Sequence, residues 1–464
     1  MHIMVRNALN TGAILLLILV FTTASSTIVV NPAVSSDETS ASEEVIENTW
    51  AQKAQMPAPR SALGVAVVEG KIYAIGGKTR GLGGVALGTN EMYDPDTGTW
   101  TKKAAMPTPR ASFAIAVCQK RIYCIGGFNC NSTEVYDPAT DTWETKAQMP
   151  TSRWQLEANV ANDKIYLMGG EPNQTLNEVY DPATNSWTTR ASIPHIETGN
   201  YHQAGVYAAS AVIDNKIYWI GVVGFFYSPL GFKLLNQMYS PENDSWSLRE
   251  PPPAHITPEA AGVTTGVWAP KRIHVFGDDC YNVTYDPATD KWSYGKRISP
   301  TRADFGVAVV NDKIYVVGGG YFWSASDVNE QYTPFGYGTI PPVVLVLSPQ
   351  NMTYAVNASL ILALNRQVAW MGYSLDGQHN VTLTGNITLA GLTKGMHNVT
   401  VYARDTFGNI GASETIYFTI AEDPEPFLTV LVAVATVAVA VGVGFIIYFT
   451  KIKKKQRASA TKGS

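Results

Sequence analysis

Four arginines share one register. Arg60, Arg110, Arg153 and Arg302 each stand 12 residues before an Ile-Tyr pair, at Ile72, Ile122, Ile165 and Ile314. A guanidinium offers a planar fork of donors that matches a carboxylate. Four of them at equivalent positions would hold an acidic ligand, or would pair with acidic side chains of neighbouring structural units and staple those units together. A second set is looser. His195, His202 and His255, with Glu197 and Glu259 nearby in sequence, have the side-chain types of a metal or acid–base site but no fixed spacing, and read equally as surface-loop residues. A third set is aromatic: Phe225, Phe226 and Tyr227 in one segment, and Tyr321, Phe322 and Trp323 in another. Exposed rings of this kind stack on sugars or anchor a protein partner, unless they pack over nearby strands. The cysteines, Cys118, Cys124, Cys130 and Cys280, lack zinc-site spacing. No nucleophile motif is present, and no cofactor is expected.

The elements that position these residues repeat. Tryptophans recur at Trp50, Trp100, Trp143, Trp187, Trp246 and Trp292, with spacings of 50, 43, 44, 59 and 46 residues. Periods of this size indicate stacked or radial repeats. The second period runs from Trp100 through Met106-Pro107-Thr108-Pro109-Arg110, Ile122-Tyr123-Cys124-Ile125-Gly126-Gly127 and Val135-Tyr136-Asp137-Pro138 to Trp143. Gly76-Gly77, Gly169-Gly170 and Gly318-Gly319 end matching strands, while repeats four and five keep only Gly221 and Gly277. Double glycine after a hydrophobic strand, followed by spaced Tyr and Trp, resembles the kelch repeat over roughly residues 48–334. The resemblance implies an all-β fold, a six-bladed β-propeller with one four-stranded sheet per repeat. It also implies that the variable-loop face binds ligands, because several kelch proteins use arginines near that face to hold acidic peptides.

The residues support the same fold independently. Val65 to Val68 and Lys71 to Ile75 flank Glu69-Gly70, a hairpin signal. Asp-Pro-Ala-Thr-Asp at 137–141 and 286–290 suits a type I turn. The sixth repeat supplies three strands but no Trp segment, and Glu47 to Ala54 around Trp50 is an orphan outer strand. Joining them closes the ring and removes open edges. In a meander, first-to-second and third-to-fourth turns share one face. The second-to-third and blade-to-blade connections share the other, and these vary most: Lys78 to Asn90, Val222 to Asn236 and the segment around Tyr321. Variable loops on one face of a repeat scaffold are the default binding surface.

The domain plan follows from the ends. Residues 1–26 read as a signal peptide and 27–46 as a linker. The propeller takes 47–338 and a small immunoglobulin-like β-sandwich 339–422. Residues 427–449 form a transmembrane helix and 450–464 a basic cytoplasmic tail. Phe427 to Phe449 carries no charge and is followed by Lys451, Lys453, Lys454, Lys455, Arg457 and Lys462, which marks the inner side of a membrane. The part between signal and span holds 27 basic against 38 acidic residues, a net of −11. Such a balance argues against nucleic acid as a partner. Nine Asn-x-Ser/Thr sequons fall there, at Asn131, Asn173, Asn243, Asn282, Asn351, Asn357, Asn380, Asn386 and Asn398. In the sandwich, candidate strands are Ser359 to Leu364, Asn380 to Leu383 and Asn398 to Ala403, with turns at Asp376-Gly377 and Gly385-Asn386 and Trp370 in the core.

Two function classes emerge. The favoured one is a cell-surface recognition or adhesion module binding a surface protein or glycan, anchored by one C-terminal helix with the propeller outside. The alternative is an extracellular carbohydrate-active enzyme, a sugar epimerase or oxidase, because the kelch resemblance includes galactose oxidase and N-acetylneuraminate epimerase. The oxidase pattern of a Tyr, a Cys and two His cannot be assigned here, and fold alone does not imply function.

Overall fold

The computed structural model describes residues 46–80, 83–194, 204–224, 232–253, 256–277, 280–321 and 323–421. The expected signal peptide, membrane span and basic tail lie outside these residues, as do Phe225, Phe226, Tyr227, Phe322, His195, Glu197, His202 and His255. Among the described residues no helix is long and apolar enough to cross a membrane. The chain divides into two compact units, with the break between Pro342 and Val343. That is four residues beyond the expected boundary, because 336–340 still belong to the propeller: Gly336 N donates to Glu47 at 2.8 Å, and Tyr337 stacks on Trp268.

The first unit holds six four-stranded antiparallel sheets. Blade one is Gly64–Val68, Lys71–Ile75, Asn90–Asp94 and Thr99–Lys103. Blades two to five follow, with inner strands Ala114–Cys118, Glu157–Ala161, Ala204–Ile213 and Pro258–Val263. Blade six combines Gly306–Val310, Lys313–Val317 and Asn329–Thr333 with Thr49–Gln52, which pairs antiparallel with Asn329–Thr333. The six inner strands contact one another in a closed ring. Apolar residues of neighbouring blades form one cluster per seam, so the core lies between the sheets. Tyr73 and Ile75 meet Phe113 and Tyr136 at the first seam, for example.

The repeat residues close each seam. Every landmark Trp donates from Nε1 to a carbonyl of the preceding blade: Trp100 to Ala54, Trp143 to Ala104, Trp187 to Ala147, Trp246 to Ala191 and Trp292 to Glu250. Trp50 completes the circle by donating to Lys296 at 2.9 Å. Two residues before the Trp, the chain takes a left-handed turn, with φ of 54° at Asp141 and 52° at Asn185. Asn, Asp and Gly tolerate this conformation best. The Asp141 carboxylate accepts the Ala104 N–H and the Tyr136 hydroxyl. Asn185, Asp244, Asp290 and Asn48 do the same in their blades. Blade one has Gly98 there instead. Gly126 needs its glycine, because it has a φ of +71° and an added Cβ would come within 2.8 Å of the Arg153 carbonyl.

Not every first-to-second turn is short. Blade five inserts 264–272, and the buried Asp312 of blade six holds that loop, accepting backbone N–H bonds from Val267, Trp268 and Ala269 at 2.7–3.1 Å.

The second unit is a two-sheet β-sandwich. Val344–Ser348, Ala358–Leu364 and Ile387–Leu389 form one sheet. Thr353–Tyr354, Ile416–Ile420, Gly395–Arg404, Trp370–Leu375 and Val381–Thr382 form the other, with Ile410–Ala412 beside Gly395–Arg404. Ala358, Leu360 and Leu389 of the first pack against Val399, Val401 and Phe418 of the second. Two expectations need correction. Trp370 is not in the core: it shares the outer face of its strand with Gly372 and donates to Thr382 Oγ1 at 3.2 Å, while Met371, Tyr373 and Leu375 face inward. Gly385-Asn386 is not a hairpin turn, since the strands on either side lie in different sheets. Asp376-Gly377 is one, with positive φ at both residues and paired flanking strands.

Candidate functional site

The four arginines do share one position, but they do not face a ligand. Arg60 and Arg153 are 0% exposed, Arg110 and Arg302 3%. Each reaches a glutamate of the third strand of its own blade at 2.7–2.8 Å: Arg60–Glu91, Arg110–Glu134, Arg153–Glu178 and Arg302–Glu330. Arg60 also donates to the carbonyls of Ala74 and Gly76, and Arg110 to those of Cys124 and Ser132. Burial lowers the pKa of Arg60 and Arg153, against the opposing pull of their glutamates. The guanidiniums are thus consumed inside their own repeats, which corrects both expectations for them, the acidic ligand and the side-chain staple to the next blade. The staple exists in the backbone. Gly319, Gly77 and Gly127 donate their N–H to the carbonyls of Arg60, Arg110 and Arg153 in the following blade, at 2.9–3.0 Å.

The innermost strands enclose a channel cavity of about 270 Å³. Its rim is built by Ala62, Ser112, Gln155 and Asp304, all with φ between 51° and 55°. Their backbones form a relay: Ala62 N donates to Asp304 O, Ser112 N to Ala62 O, and Gln155 N to Ser112 O. Glu259 of blade five supplies the acceptor at the relay's end, taking the Asp304 N–H at 3.2 Å. Among the described residues the lining holds three carboxylates, Glu157, Glu259 and Asp304, and no basic side chain. Lys78 reaches Asp304 at 4.0 Å.

Glu157 is the centre of a polar network across the seam of blades three and four. Its Oε2 accepts from Ser210 Oγ at 2.8 Å, and Asn159 Nδ2 donates to the same hydroxyl at 2.9 Å. Desolvation in the channel wall pushes the Glu157 carboxyl up to about 7, against the Ser210 hydrogen bonds that pull it down. The sequence reading missed this trio, although the repeat register reveals it. The residues aligned with Glu157 are Gly64, Ala114, Ala209, Ala260 and Gly306, and those aligned with Asn159 are Ala66, Ala116, Ala211, Gly262 and Ala308. Small residues are the rule there because the inner strands crowd: a Cβ on Gly306 would meet Val65 at 2.1 Å. A Glu and an Asn at small-residue positions are the exception that repeat alignment exposes.

Around the mouth, Tyr321 is 52% and Trp323 71% exposed in the second-to-third loop of blade six. Phe128, in the equivalent loop of blade two, is 63% exposed and packs edge-on against Trp154 at 5.2 Å, a pair the sequence reading did not single out. Among the described residues no group of three or more His, Cys, Asp or Glu side chains could hold a metal ion. All four cysteines are free thiols, with Cys124 pushed up to about 12 and Cys118 to about 11 by burial. Burial also acts to raise Cys130, but hydrogen bonds from Ser132 and the Arg110 guanidinium outweigh it and lower its pKa.

The sequons separate by access. Asn173, Asn243, Asn351, Asn357, Asn380 and Asn386 are exposed, and Asn131 and Asn398 half-buried. Asn282 is corrected as a glycosylation site: it is 0% exposed, and its Nδ2, the atom a glycan would need, faces the Lys296 carbonyl. Asn131 commits the same atom to the Met149 carbonyl.

Comparison with known families matches residues 39–170 to the KLHDC2/KLHL20/DRC7 Kelch-repeats domain and residues 301–334 to the Kelch motif. The chain carries kelch repeats. The matched stretches take in blades one, two and six and the first two strands of blade three, and with them all four double glycines. Halomucin of Haloquadratum walsbyi (strain DSM 16790 / HBSQ001) is 37% identical over 95 residues, which is 18% of this chain and about 1% of that protein's length. The solved structure of YjhT is similar at 15% identity with a TM-score of 0.46, covering 60% of this chain and 96% of that one.

Proposed function

We propose that this kelch propeller is a recognition module displayed outside the cell by a C-terminal membrane anchor, and that it binds a surface glycan or protein at the channel mouth. The observation that carries the reading is the pairing of a cavity lined, among the described residues, by three carboxylates with exposed rings at Tyr321, Trp323 and Phe128. Carboxylates accept hydroxyl and ammonium donors, and rings stack on sugar faces or cations. A donor-rich neutral or cationic ligand therefore fits better than an acidic one. The sandwich, read as an immunoglobulin-like module, would space the propeller from the bilayer. Its two sheets and the parallel pairing of Thr353–Tyr354 with Ile416–Ile420 support that reading.

The test is a glycan array run beside a pull-down from the native cell surface, using the full chain, Trp323→Ala and Glu157→Gln. Both variants should lose capture while melting as cooperatively as the parent. Undiminished capture by both would overturn the site. One observation favours the enzymatic alternative, a carbohydrate-active enzyme: a cavity carboxyl poised near neutrality is suited to proton transfer. Sugar turnover that tracks the Glu157 titration and vanishes in Glu157→Gln would replace the binding reading with that one.

A further inference from the structure

We propose that N-linked glycans on Asn351, Asn357, Asn380, Asn386 and Asn398 cover the apolar surface of the sandwich. The inference rests on the extracellular reading above and adds to it what the glycans are for. Among the described residues, seventeen large apolar side chains are exposed, and nine of them belong to the sandwich, the smaller unit by far. Bare apolar surface of that density invites self-association.

The sequons sit on it. Asn351 adjoins Met352, Asn357 adjoins Val356 and Asn380 adjoins Val381, and these three apolar residues are 52–67% exposed. Asn386 Oδ1 accepts the Leu362 N–H, beside the exposed Ile361, and leaves its Nδ2 for a sugar. Asn398 lies directly across from Tyr417 in the sheet and two residues from Met396, so all three share the outer face; Tyr417 is 52% and Met396 74% exposed. Six of the nine exposed apolar residues thus have a sequon as neighbour.

The exposed rings of the propeller are less closely flanked. No sequon falls in the loop of Tyr321 and Trp323. Phe128 has Asn131 nearby, but there Nδ2 is engaged with Met149. Sugar acceptors flank the apolar surface of the sandwich, whereas on the mouth face the exposed acceptor among the described residues is Asn173, in the second-to-third loop of blade three and not in the loops that carry the exposed rings.

The experiment maps glycopeptides of the full chain purified from the membranes of the cells that make it. The five sandwich asparagines should be occupied and Asn282 bare. A variant with all five changed Asn→Gln should bind a hydrophobic dye several-fold more strongly and aggregate, while Asn173→Gln with Asn243→Gln should not. Should the five-site variant fail to fold, Thr353→Ala with Ser359→Ala and Thr388→Ala removes three sequons without touching the asparagines. Unoccupied sandwich sites beside an occupied Asn173 or Asn243 would overturn the inference alone, as would a glycan-free variant that stays dye-silent and soluble. A chain with no glycan anywhere also overturns it, and protease treatment of intact cells then decides separately whether the propeller is outside.

Discussion

Blades six, one, two and three form one arc of the ring, and blades four and five another. In the first arc each blade keeps its double glycine and its buried Arg–Glu pair. In the second, the position four residues ahead of the one aligned with Gly64, where the arginine would stand, is held by Gly205 and Ile256, because the inserted loop 264–272 carries Ala261, which the 12-residue spacing would put there, into the inner strand; Gln237 and Val283 stand at the glutamate register. The strands of blade four also lengthen to ten and nine residues, and blade five carries the inserted loop that Asp312 holds. Arginine and glutamate are lost together in both divergent blades. Half of a buried ion pair is worse than none, because the partner left behind is a desolvated charge without compensation. The pair therefore behaves as one heritable unit of the repeat. The channel's polar side chains follow neither arc as a whole: Glu157 and Asp304 stand in blades three and six, which keep the repeat, and Ser210 and Glu259 in blades four and five, which have lost it. Architecture lies in what recurs, and candidate chemistry in what does not.

The largest effect should come from opening the ring. Deleting 47–54 removes the fourth strand of blade six and the Trp50–Lys296 bond, exposing a sheet edge. Aggregation on purification is the expected outcome, and a monomer with unchanged thermal unfolding would refute the closure. Next, Arg153→Ala should cost about 3–5 kcal/mol in urea unfolding by stranding Glu178, whereas Arg153→Met with Glu178→Leu should recover most of it. If the double variant is no better than the single, the comparison between the arcs loses its physical basis. Third comes Glu157. An acid with a higher pKa in the folded chain holds its proton more tightly there, so folding stability falls as pH rises from about 4.5 to about 7 and then levels. Glu157→Gln should flatten that slope and be more stable than the parent at pH 8, by roughly 1–3 kcal/mol. An unchanged pH profile would place the carboxyl in water. The smallest effect sharpens the repeat rule itself. Gly98→Asn puts an acceptor where five other blades have one, at a φ of +68° that Asn tolerates and with no heavy atom nearer its Cβ than the Tyr93 hydroxyl at 4.0 Å. A gain of about 0.5–1 kcal/mol should appear as a raised melting temperature.

The sequence made the propeller legible because its landmarks are local and repeated six times. The Trp spacing, the Ile-Tyr strands and the orphan Trp50 segment each mark a strand found in a blade. Register equality likewise placed the four arginines at one point of the fold. Their role was hidden because burial and partnership are not local. The matching glutamate is displaced by a loop of variable length, and only its fixed offset from the following Tyr, as in Glu91-Met92-Tyr93 and Glu178-Val179-Tyr180, could have tied it to the arginine. Glu157 and Asn159 were legible in principle but not from composition, since they depart from a rule that emerges only when inner strands are aligned. Trp370 was misplaced by residue type: a large ring suggested a core, whereas strand alternation put it on the face with Gly372. Asn282 matches its sequon motif perfectly, yet the same Asn packs inside a blade, and the motif carries no information about depth.

The pairing of Thr49 with Thr333 sets the order in which this protein can become whole. Made before the rest of the ring, Thr49–Gln52 is the last of its strands to find its place, because its partner is made nearly three hundred residues later. Contacts so distant in sequence slow folding. Until then Thr49–Gln52 is an unpaired strand, and blades one to five accumulate behind it with an open flank. Chaperone capture of that segment would therefore govern the yield of intact rings more than the stability of any single blade.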